Sequence, residues 1–323
     1  MTDFNENSSG QQPGDPEPGQ NKPQNNNFVD YPLISPIAAA FLGLVGGFFL
    51  YQFVGGILTI AIFGMELEKA DVNALRLMTM GGQLLFILLP ALLFARWIYG
   101  DISDVIYTKI PNLVEIVLFS AGVIILIPLL QSYLYIQNYF IEKIAANSVF
   151  FNSIKTFLDS LNELAEKTYS NLMKANSFTE ILLVILVISI VPAIAEETMF
   201  RGYIQRSFSF KMKPYWAALI TAIFFGLYHF NPYGLLPLIA LGFYFGYASY
   251  VSETIIIPMI LHFLNNFGAV ILYYTIGDDE LINTNVSQSV ALNSNILVFV
   301  VLLLLFGIII FIIKKYYSKV RYS

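Results

Sequence analysis

The chain has 323 residues, of which 57% are hydrophobic and 12% are charged, and its mean hydropathy is +0.67. Soluble domains usually carry about 25% charged residues, so this composition predicts a multi-span membrane protein. The net charge of −5 comes without a basic stripe, which argues against a nucleic-acid partner. The sequence has no cysteine, which excludes disulfides, thiolate metal ligands and a cysteine nucleophile.

Residues 1–29 are rich in Asn, Gln, Pro, Gly and Ser. Such a segment buries too little apolar surface to offset the entropy lost on ordering, so we predict a disordered tail. It also lacks the basic start and apolar run of a secretory signal. We therefore expect the first span to serve as the insertion signal.

Eight apolar stretches follow the tail, and most of them reach the roughly 20 residues that a helix needs to cross a bilayer. They lie at about 36–63, 79–99, 113–136, 178–208, 214–231, 234–251, 254–276 and 295–313. The fifth and sixth are short, and only the turn sequence Asn231-Pro232-Tyr233-Gly234 separates them. The stretches are continuous rather than alternating. We therefore expect an all-α polytopic membrane protein with about eight transmembrane helices.

Basic residues are concentrated at Arg206–Lys213 and at Lys314–Arg321, whereas Asp278–Glu280 is acidic. By the positive-inside rule, both termini are expected in the cytoplasm. The connection 139–177 would then lie outside. Its apolar residues recur near helical spacing and predict an amphipathic helix, which we expect to pack at the membrane interface, with a substrate-gating lid as the alternative.

Polar groups inside the apolar stretches are few. A charged side chain at the bilayer centre costs about 2.5–3.5 kcal/mol on insertion scales, so such groups are by default functional and paired. Residues four apart share one face of a helix. Three pairs have this spacing: Glu197 with Arg201, Phe225 with His229, and His262 with Asn266. By contrast, we expect Gln52, Gln83 and Glu115 to be interhelical or interfacial hydrogen-bond partners, and Asn265 to be structural.

The depths of these groups in the membrane also agree. With a rise of about 1.5 Å per residue, Glu196, His229 and His262 lie within about two helical turns of one level. This agreement requires that the helix carrying Glu196 continue to about Phe208, with a kink at Pro192. The sequence therefore predicts one polar site inside the membrane.

The order EExxxR, FxxxH and HxxxN on successive apolar helices resembles the CPBP family of CAAX proteases and bacteriocin-processing enzymes, also called the Abi family. The resemblance covers about residues 178–276. It divides the chain into the tail 1–29, the N-terminal helices with the outer amphipathic helix at 30–177, a catalytic helical core at 178–276, and a last helix with a basic cytoplasmic tail at 277–323. It implies an intramembrane endopeptidase similar to the CAAX prenyl endopeptidase (CAAX prenyl protease 2).

Carried onto this sequence, the resemblance makes Glu196 the general base, acting with His229 on the attacking water. His262 and Asn266 would donate hydrogen bonds to the developing oxyanion. Physical chemistry supports these roles, because burial makes a carboxylate more basic and one oxyanion donor is worth about 2.7–4 kcal/mol.

Three further residues support the site in this reading. Glu197 and Arg201 would form an orienting ion pair, and Phe225 would stand beside His229. Two Glu and two His could also hold a zinc ion, but there is no HExxH sequence to present a ready chelate. We expect no cofactor, with zinc as the alternative.

The expected partners are membrane lipid and a peptide or protein substrate, prenylated proteins included, while the oligomeric state stays open. The polar tail favours a multi-pass protein of a prokaryotic plasma membrane. The chain has no terminal Cys motif, so it is not expected to be a prenylation target itself. Two other functions stay open: a non-proteolytic bacteriocin-immunity or scaffold protein, and a proton-coupled transporter, which the lack of inverted repeats disfavours.

Overall fold

The computed structural model describes residues 32–277 and 291–322. The predicted disordered tail and the acidic residues Asp278–Glu280 lie outside this part of the chain. Within it there is no strand. Besides two short 3₁₀ turns at Leu67–Lys69 and Ile102–Asp104, it has nine helices of 15 or more residues. They are α1 Pro36–Phe63, α2 Val72–Tyr99, α3 Leu113–Ala146, α4 Val149–Met173, α5 Phe178–Ser209, α6 Pro214–Tyr228, α7 Leu235–Ser252, α8 Ile256–Ile276 and α9 Ala291–Tyr322.

Each of the eight predicted spans coincides with a helix, so the predicted all-α polytopic membrane fold is confirmed. Of the nine helices in the described residues, seven are long and apolar enough to cross a membrane, and α6, with 15 residues, is a shorter apolar helix. The sequence predicted that α2 begins at about residue 79, whereas the helix begins at Val72. Asp71 caps this helix by accepting from the N–H of Ala74, and the first turns are polar, so an apolar stretch could not reveal them.

Helix α5 lies at the centre of the bundle. Its residues Glu197–Gln205 are all buried, and it packs against α1, α2, α6 and α8. The predicted continuation to Phe208 is confirmed, because the helix ends at Ser209. Two stretches of α5, Ile185–Ile190 and Thr198–Ile204, have π-helical hydrogen bonding. They flank the two adjacent glutamates, and such irregular turns are frequent at functional sites.

The helices form three apolar clusters in the described residues, of which the smallest joins the end of α4 to α5 and α8. The two larger clusters surround α5. One joins α1, α2, α5 and α6, and the other joins α3, α7, α8 and α9. Helix α9 packs along α3 at the periphery, and most of its apolar side chains are exposed, as expected for a helix that faces lipid.

Two glycines, Gly43 and Gly242, allow close helix contacts. A Cβ at Gly43 would stand 2.6 Å from the ring of Tyr203, and one at Gly242 would stand 2.9 Å from the ring of Phe225. Glycine is therefore required where α1 meets α5 and where α7 meets α6. Both contacts lie within one chain.

Helix α4 is the predicted amphipathic helix, but much of its apolar face is exposed, including Phe157 and Leu164. It is fixed at two points. At its C-terminal end, the buried Arg76 of α2 donates to the carbonyl oxygen of Leu172 at 3.0 Å. Near its middle, Asp159 accepts a hydrogen bond at 2.5 Å from the hydroxyl of Tyr233, which lies in the turn between α6 and α7.

Candidate active site

Five of the seven predicted site residues line one cavity of about 310 Å³. They are Glu196, Phe225, His229, His262 and Asn266. We call this space the site cavity. Its walls come from α1, α2, α5, α6, α7 and α8, with Tyr169 of α4 at one edge. The remaining two residues, Glu197 and Arg201, do not line the cavity and lie behind it.

Glu197 joins two cationic or protonatable partners. Its Oε1 atom lies 2.8 Å from Nη1 of Arg201 and 2.7 Å from Nδ1 of His262. The carboxylate is 0% exposed and Arg201 is 2% exposed. The predicted pairing of Glu197 with Arg201 is therefore present. The contact with His262 links α5 to α8, and because it uses Nδ1, the free ring nitrogen of His262 is Nε2.

Arg201 is buried among polar and aromatic groups. Its Nη2 donates to the carbonyl oxygen of Gly242 at 3.0 Å, and its guanidinium stacks over the rings of Phe225 and Phe245 at 4.5 and 5.4 Å. Cation–π contacts of this kind gain strength when they are desolvated. Arg201 therefore fixes both the charge and the position of Glu197.

Glu196 is placed differently from its neighbour. Successive residues of a helix point in different directions, so Glu197 faces the centre of the bundle while Glu196 lines the site cavity. Its Oε2 atom is buried, and within the described residues nothing donates a hydrogen bond to it. A buried carboxylate oxygen without a donor is costly, so this atom is ready to accept a hydrogen bond from a water or a substrate.

His229 lies directly after α6, which ends at Tyr228 and not at the predicted residue 231. The chain leaves the helix at Phe230, whose φ of 47° is left-handed. His229 is consequently exposed at the end of the helix instead of buried inside it. Its Nδ1 lies 2.7 Å from the carbonyl oxygen of Phe225. This carbonyl requires a proton on Nδ1, which leaves Nε2 as an acceptor in the neutral ring.

Asn266 stabilises the irregular part of α5. Pro192 has no N–H, so the carbonyl of Ile188, four residues earlier, lacks its usual helical donor. Nδ2 of Asn266 donates to this oxygen at 2.9 Å, and Asn266 Oδ1 accepts from Asn265 Nδ2 at 3.0 Å. One of the two Nδ2 hydrogens remains for another acceptor.

Residues 178–268 match the family model described as Type II CAAX prenyl endopeptidase Rce1-like. This segment is an Rce1-like domain. It begins with α5 and ends within α8, so it includes all three motifs that the sequence singled out. At the level of the family, the Rce1-like domain is that of a membrane-embedded endopeptidase. No curated protein and no solved structure matches the chain.

The site cavity also has walls outside the Rce1-like domain, and sequence reasoning missed their position. Tyr51 and Gln52 come from α1, and Gln83 comes from α2. Gln52 is an interhelical hydrogen-bond partner as predicted, since its Nε2 donates to the carbonyl oxygen of Tyr228 at 3.0 Å. Gln83 is 6% exposed, and its Oε1 accepts no hydrogen bond in the described part of the chain. The one sign in the sequence that Gln83 has a special role was its position as a lone glutamine within an apolar stretch.

The polar groups of the Rce1-like domain do not form a ready-made set of metal ligands in the described residues. Among residues 32–277 and 291–322, no group of three or more His, Asp or Glu side chains is placed to hold a metal ion. A catalytic zinc site usually takes three such ligands. Here Glu197 Oε1 and His262 Nδ1 bond each other, and His229 Nδ1 bonds a backbone carbonyl.

Proposed function

We propose that this protein is an intramembrane endopeptidase that hydrolyses peptide bonds with a water activated by Glu196. The observation that carries the proposal is the difference between two adjacent glutamates. Glu197 lies behind the site cavity, and its Oε1 atom contacts both Arg201 and His262, whereas Glu196 lines the cavity. The Oε2 atoms of both residues are buried and lack a donor in the described chain, but only that of Glu196 belongs to a residue that lines the cavity. Only Glu196 is thus placed to receive the proton of a bound water.

In the proposed reaction, Glu196 takes one proton from the water while the water oxygen bonds to the carbonyl carbon of the substrate. His229 assists by accepting a hydrogen bond at Nε2 from the other water hydrogen, which stays on the oxygen. The tetrahedral intermediate then breaks its C–N bond, and Glu196 passes its proton to the departing nitrogen. The products are an acid and an amine, so the site returns to its starting state.

The negative charge on the carbonyl oxygen needs donors that are already in place. His262 contacts Glu197 through Nδ1, and in the proposed scheme its Nε2 donates to this oxygen. Asn266 supplies its second Nδ2 hydrogen. Both side chains are held by hydrogen bonds within the protein, and such preorganised donors act without reorganisation during the reaction. No step of this scheme requires a metal or another cofactor.

The proposed substrates are membrane-associated peptides or proteins, prenylated proteins included. An apolar groove of about 460 Å³ lies beside the site cavity and shares Tyr228 with it. Leu44 and Phe48 of α1 and Leu161 of α4 are among its lining residues. Such a groove suits an apolar anchor next to the bond that is cleaved.

The test is cleavage of quenched membrane peptides, among them a prenylated one, by the purified protein in detergent, with and without a chelator. We expect cleavage that persists in chelator and that is lost in Glu196→Gln. Cleavage by wild type that the chelator abolishes would contradict the cofactor-free scheme. Proton flux that depends on Glu196, without cleavage of any peptide, would instead indicate a transporter.

Gln83 is proposed to bind the backbone of the substrate through its free carbonyl oxygen. We expect Gln83→Leu to raise KM about tenfold, the effect of losing about 1.4 kcal/mol, with a smaller change in kcat. Gln205→Leu is the matched control, because Gln205 is buried and also has an unpaired Oε1 but does not line the site cavity. An unchanged KM in Gln83→Leu, or an equal rise in both variants, would contradict this role.

We also propose that the protein resides in a prokaryotic plasma membrane with both termini in the cytoplasm. The basic residues Arg206, Lys211 and Lys213 lie at the end of α5 and in the connection to α6, and by the positive-inside rule they support a cytoplasmic position for that end of the bundle. Because the chain has no cysteine, Lys211→Cys introduces a unique thiol. We expect an impermeant maleimide to label it in inverted vesicles and not in intact cells; the reverse pattern would contradict the orientation.

A further inference from the structure

Tyr233 lies in the turn between α6 and α7, four residues after His229. Its hydroxyl donates a hydrogen bond to Oδ1 of Asp159 in α4 at 2.5 Å, and its carbonyl oxygen accepts one from Nε2 of Gln137 in α3 at 2.9 Å. The proposed reaction uses neither contact. Tyr233 thus joins the turn that follows His229 to two helices outside the Rce1-like domain.

The backbone of this turn is strained at Phe230. Its φ of 47° is left-handed, a conformation that a bulky residue keeps only when its surroundings hold it there. The side chain of Phe230 contributes little to that restraint, because it is 58% exposed and meets the ring of Phe48 at 5.7 Å. The restraint therefore comes largely from the residues on either side.

Hydrogen bonds fix the chain before and after the strained residue. Before it, the carbonyl oxygen of Tyr228 accepts from Nε2 of Gln52 at 3.0 Å. After it, Oδ1 of Asn231 accepts from the N–H of Gly234 at 2.7 Å, and the ring of Pro232 fixes one backbone angle. The turn is consequently stiff, so a displacement of its far end is passed back to the histidine at its start.

His229 depends on this backbone for its position. It directly follows the last residue of α6, and its side chain is exposed. Its ring contacts Phe225, through Nδ1 to the carbonyl oxygen at 2.7 Å and between the two rings at 4.7 Å. Both contacts lie one helical turn back along the same chain. The direction of Nε2 therefore follows the backbone at His229.

We propose that Tyr233, through its hydrogen bond to Asp159, is a positioning residue that holds the strained turn and thereby directs Nε2 of His229 into the site cavity. This inference rests on the proposed function, because it assigns Tyr233 to the same reaction. The acceptor suits the role. Partial burial opposes ionisation of Asp159, but the hydrogen bonds from Lys155 and Tyr233 outweigh it and lower the pKa of this carboxyl. A charged acceptor makes the stronger hydrogen bond.

The first test observes the ring of His229 directly and needs no turnover. The chain contains two histidines, so isotope-labelled histidine gives two sets of ring signals in nuclear magnetic resonance spectra of the full chain in detergent, and His229→Gln assigns them. The spectra report which ring nitrogen carries the proton. We expect a single form in wild type, protonated on Nδ1. In Tyr233→Phe we expect this single form to be lost to a mixture, while the signals of His262 stay unchanged.

The kinetics of cleavage give a second readout. We expect Tyr233→Phe to lower kcat about tenfold and to change KM by less than about twofold, because a displaced His229 slows the chemical step and leaves the substrate contacts in place. A loss of substrate binding would instead raise KM. The split between the two constants therefore separates positioning from binding.

Variants of Asp159 test the hydrogen bond from its other end. Asp159→Asn keeps an acceptor and is expected to retain most of the wild-type kcat and the single form of His229. Asp159→Leu removes the acceptor and is expected to match Tyr233→Phe in both readouts. The double variant Asp159→Leu with Tyr233→Phe should be no slower than either single variant, because all three lack the same hydrogen bond.

Tyr274→Phe is the matched control. The hydroxyl of Tyr274 in α8 donates to the carbonyl oxygen of Met173 at the end of α4, so this variant also removes one tyrosine hydrogen bond to α4. It does not touch the turn after α6. We expect it to keep the wild-type kcat and the single form of His229.

An unchanged kcat or an unchanged His229 spectrum in Tyr233→Phe, or equal changes in Tyr274→Phe, would overturn the inference. If Tyr233→Phe did not fold, Asp159→Leu would decide by the same two readouts. Failure of the proposed function has a different signature: the wild-type chain cleaves no peptide, while the spectra still show that Tyr233 holds His229. Cleavage by wild type with no effect of Tyr233→Phe would leave the endopeptidase standing and remove only the role of Tyr233.

Discussion

Replacing Glu196 with glutamine is expected to lower the cleavage rate by about 10²–10⁴-fold, the usual contribution of a positioned general base. Glutamine keeps the size and shape of the side chain but cannot take a proton from water. Folding should not suffer, because no described group donates to the buried Oε2 atom of Glu196. The thermal unfolding midpoint in detergent is therefore expected to match that of wild type or to exceed it.

The control for this experiment is Glu163→Gln, which makes the same chemical change at an exposed position of α4. It is expected to alter neither the cleavage rate nor the unfolding midpoint. Single-turnover cleavage in the presence of excess enzyme separates a slower chemical step from weaker substrate binding. If Glu196→Gln cleaved at the wild-type rate, Glu196 would not be the general base. The proposed difference in role between Glu196 and Glu197 would then be wrong.

The membrane fold and the local pairs of the candidate site were predictable because they depend on short-range patterns. Apolar stretches showed where the helices lie, and spacing by four residues paired Glu197 with Arg201 and Phe225 with His229. The limits of α2 were less accessible, because its first turns are polar and are stabilised by packing and by the cap at Asp71.

Contacts between distant segments could not be predicted in this way. The hydrogen bond from His262 to Glu197 joins residues 65 positions apart, and the one from Asn266 to Ile188 joins residues 78 apart. No periodicity connects such positions. The position of Gln83 in the wall of the site cavity also arises only because α2, which is outside the Rce1-like domain, packs against it.

The contrast between the glutamates extends to stability. Glu197→Gln is expected to destabilise the protein by about 3–5 kcal/mol, the cost of leaving one member of a buried ion pair without its partner. Arg201 would keep the carbonyl of Gly242 and its aromatic neighbours but lose its counter-charge. Loss of activity in this variant would therefore accompany a lower unfolding midpoint, unlike the loss in Glu196→Gln.

A double-mutant cycle tests whether the loss of stability arises from the interaction between Glu197 and Arg201. Arg201→Met alone leaves Glu197 charged and buried, so it is expected to be as costly as Glu197→Gln, whereas the double variant removes both charges and should recover part of the loss. The matched surface cycle uses Glu163→Gln and Lys167→Met, an exposed pair for which coupling of about 0–1 kcal/mol is expected. If the coupling energy between Glu197 and Arg201 were no larger than that of the surface pair, the buried ion pair would not stabilise the site. Arg201 would then not be needed to hold Glu197 in contact with His262.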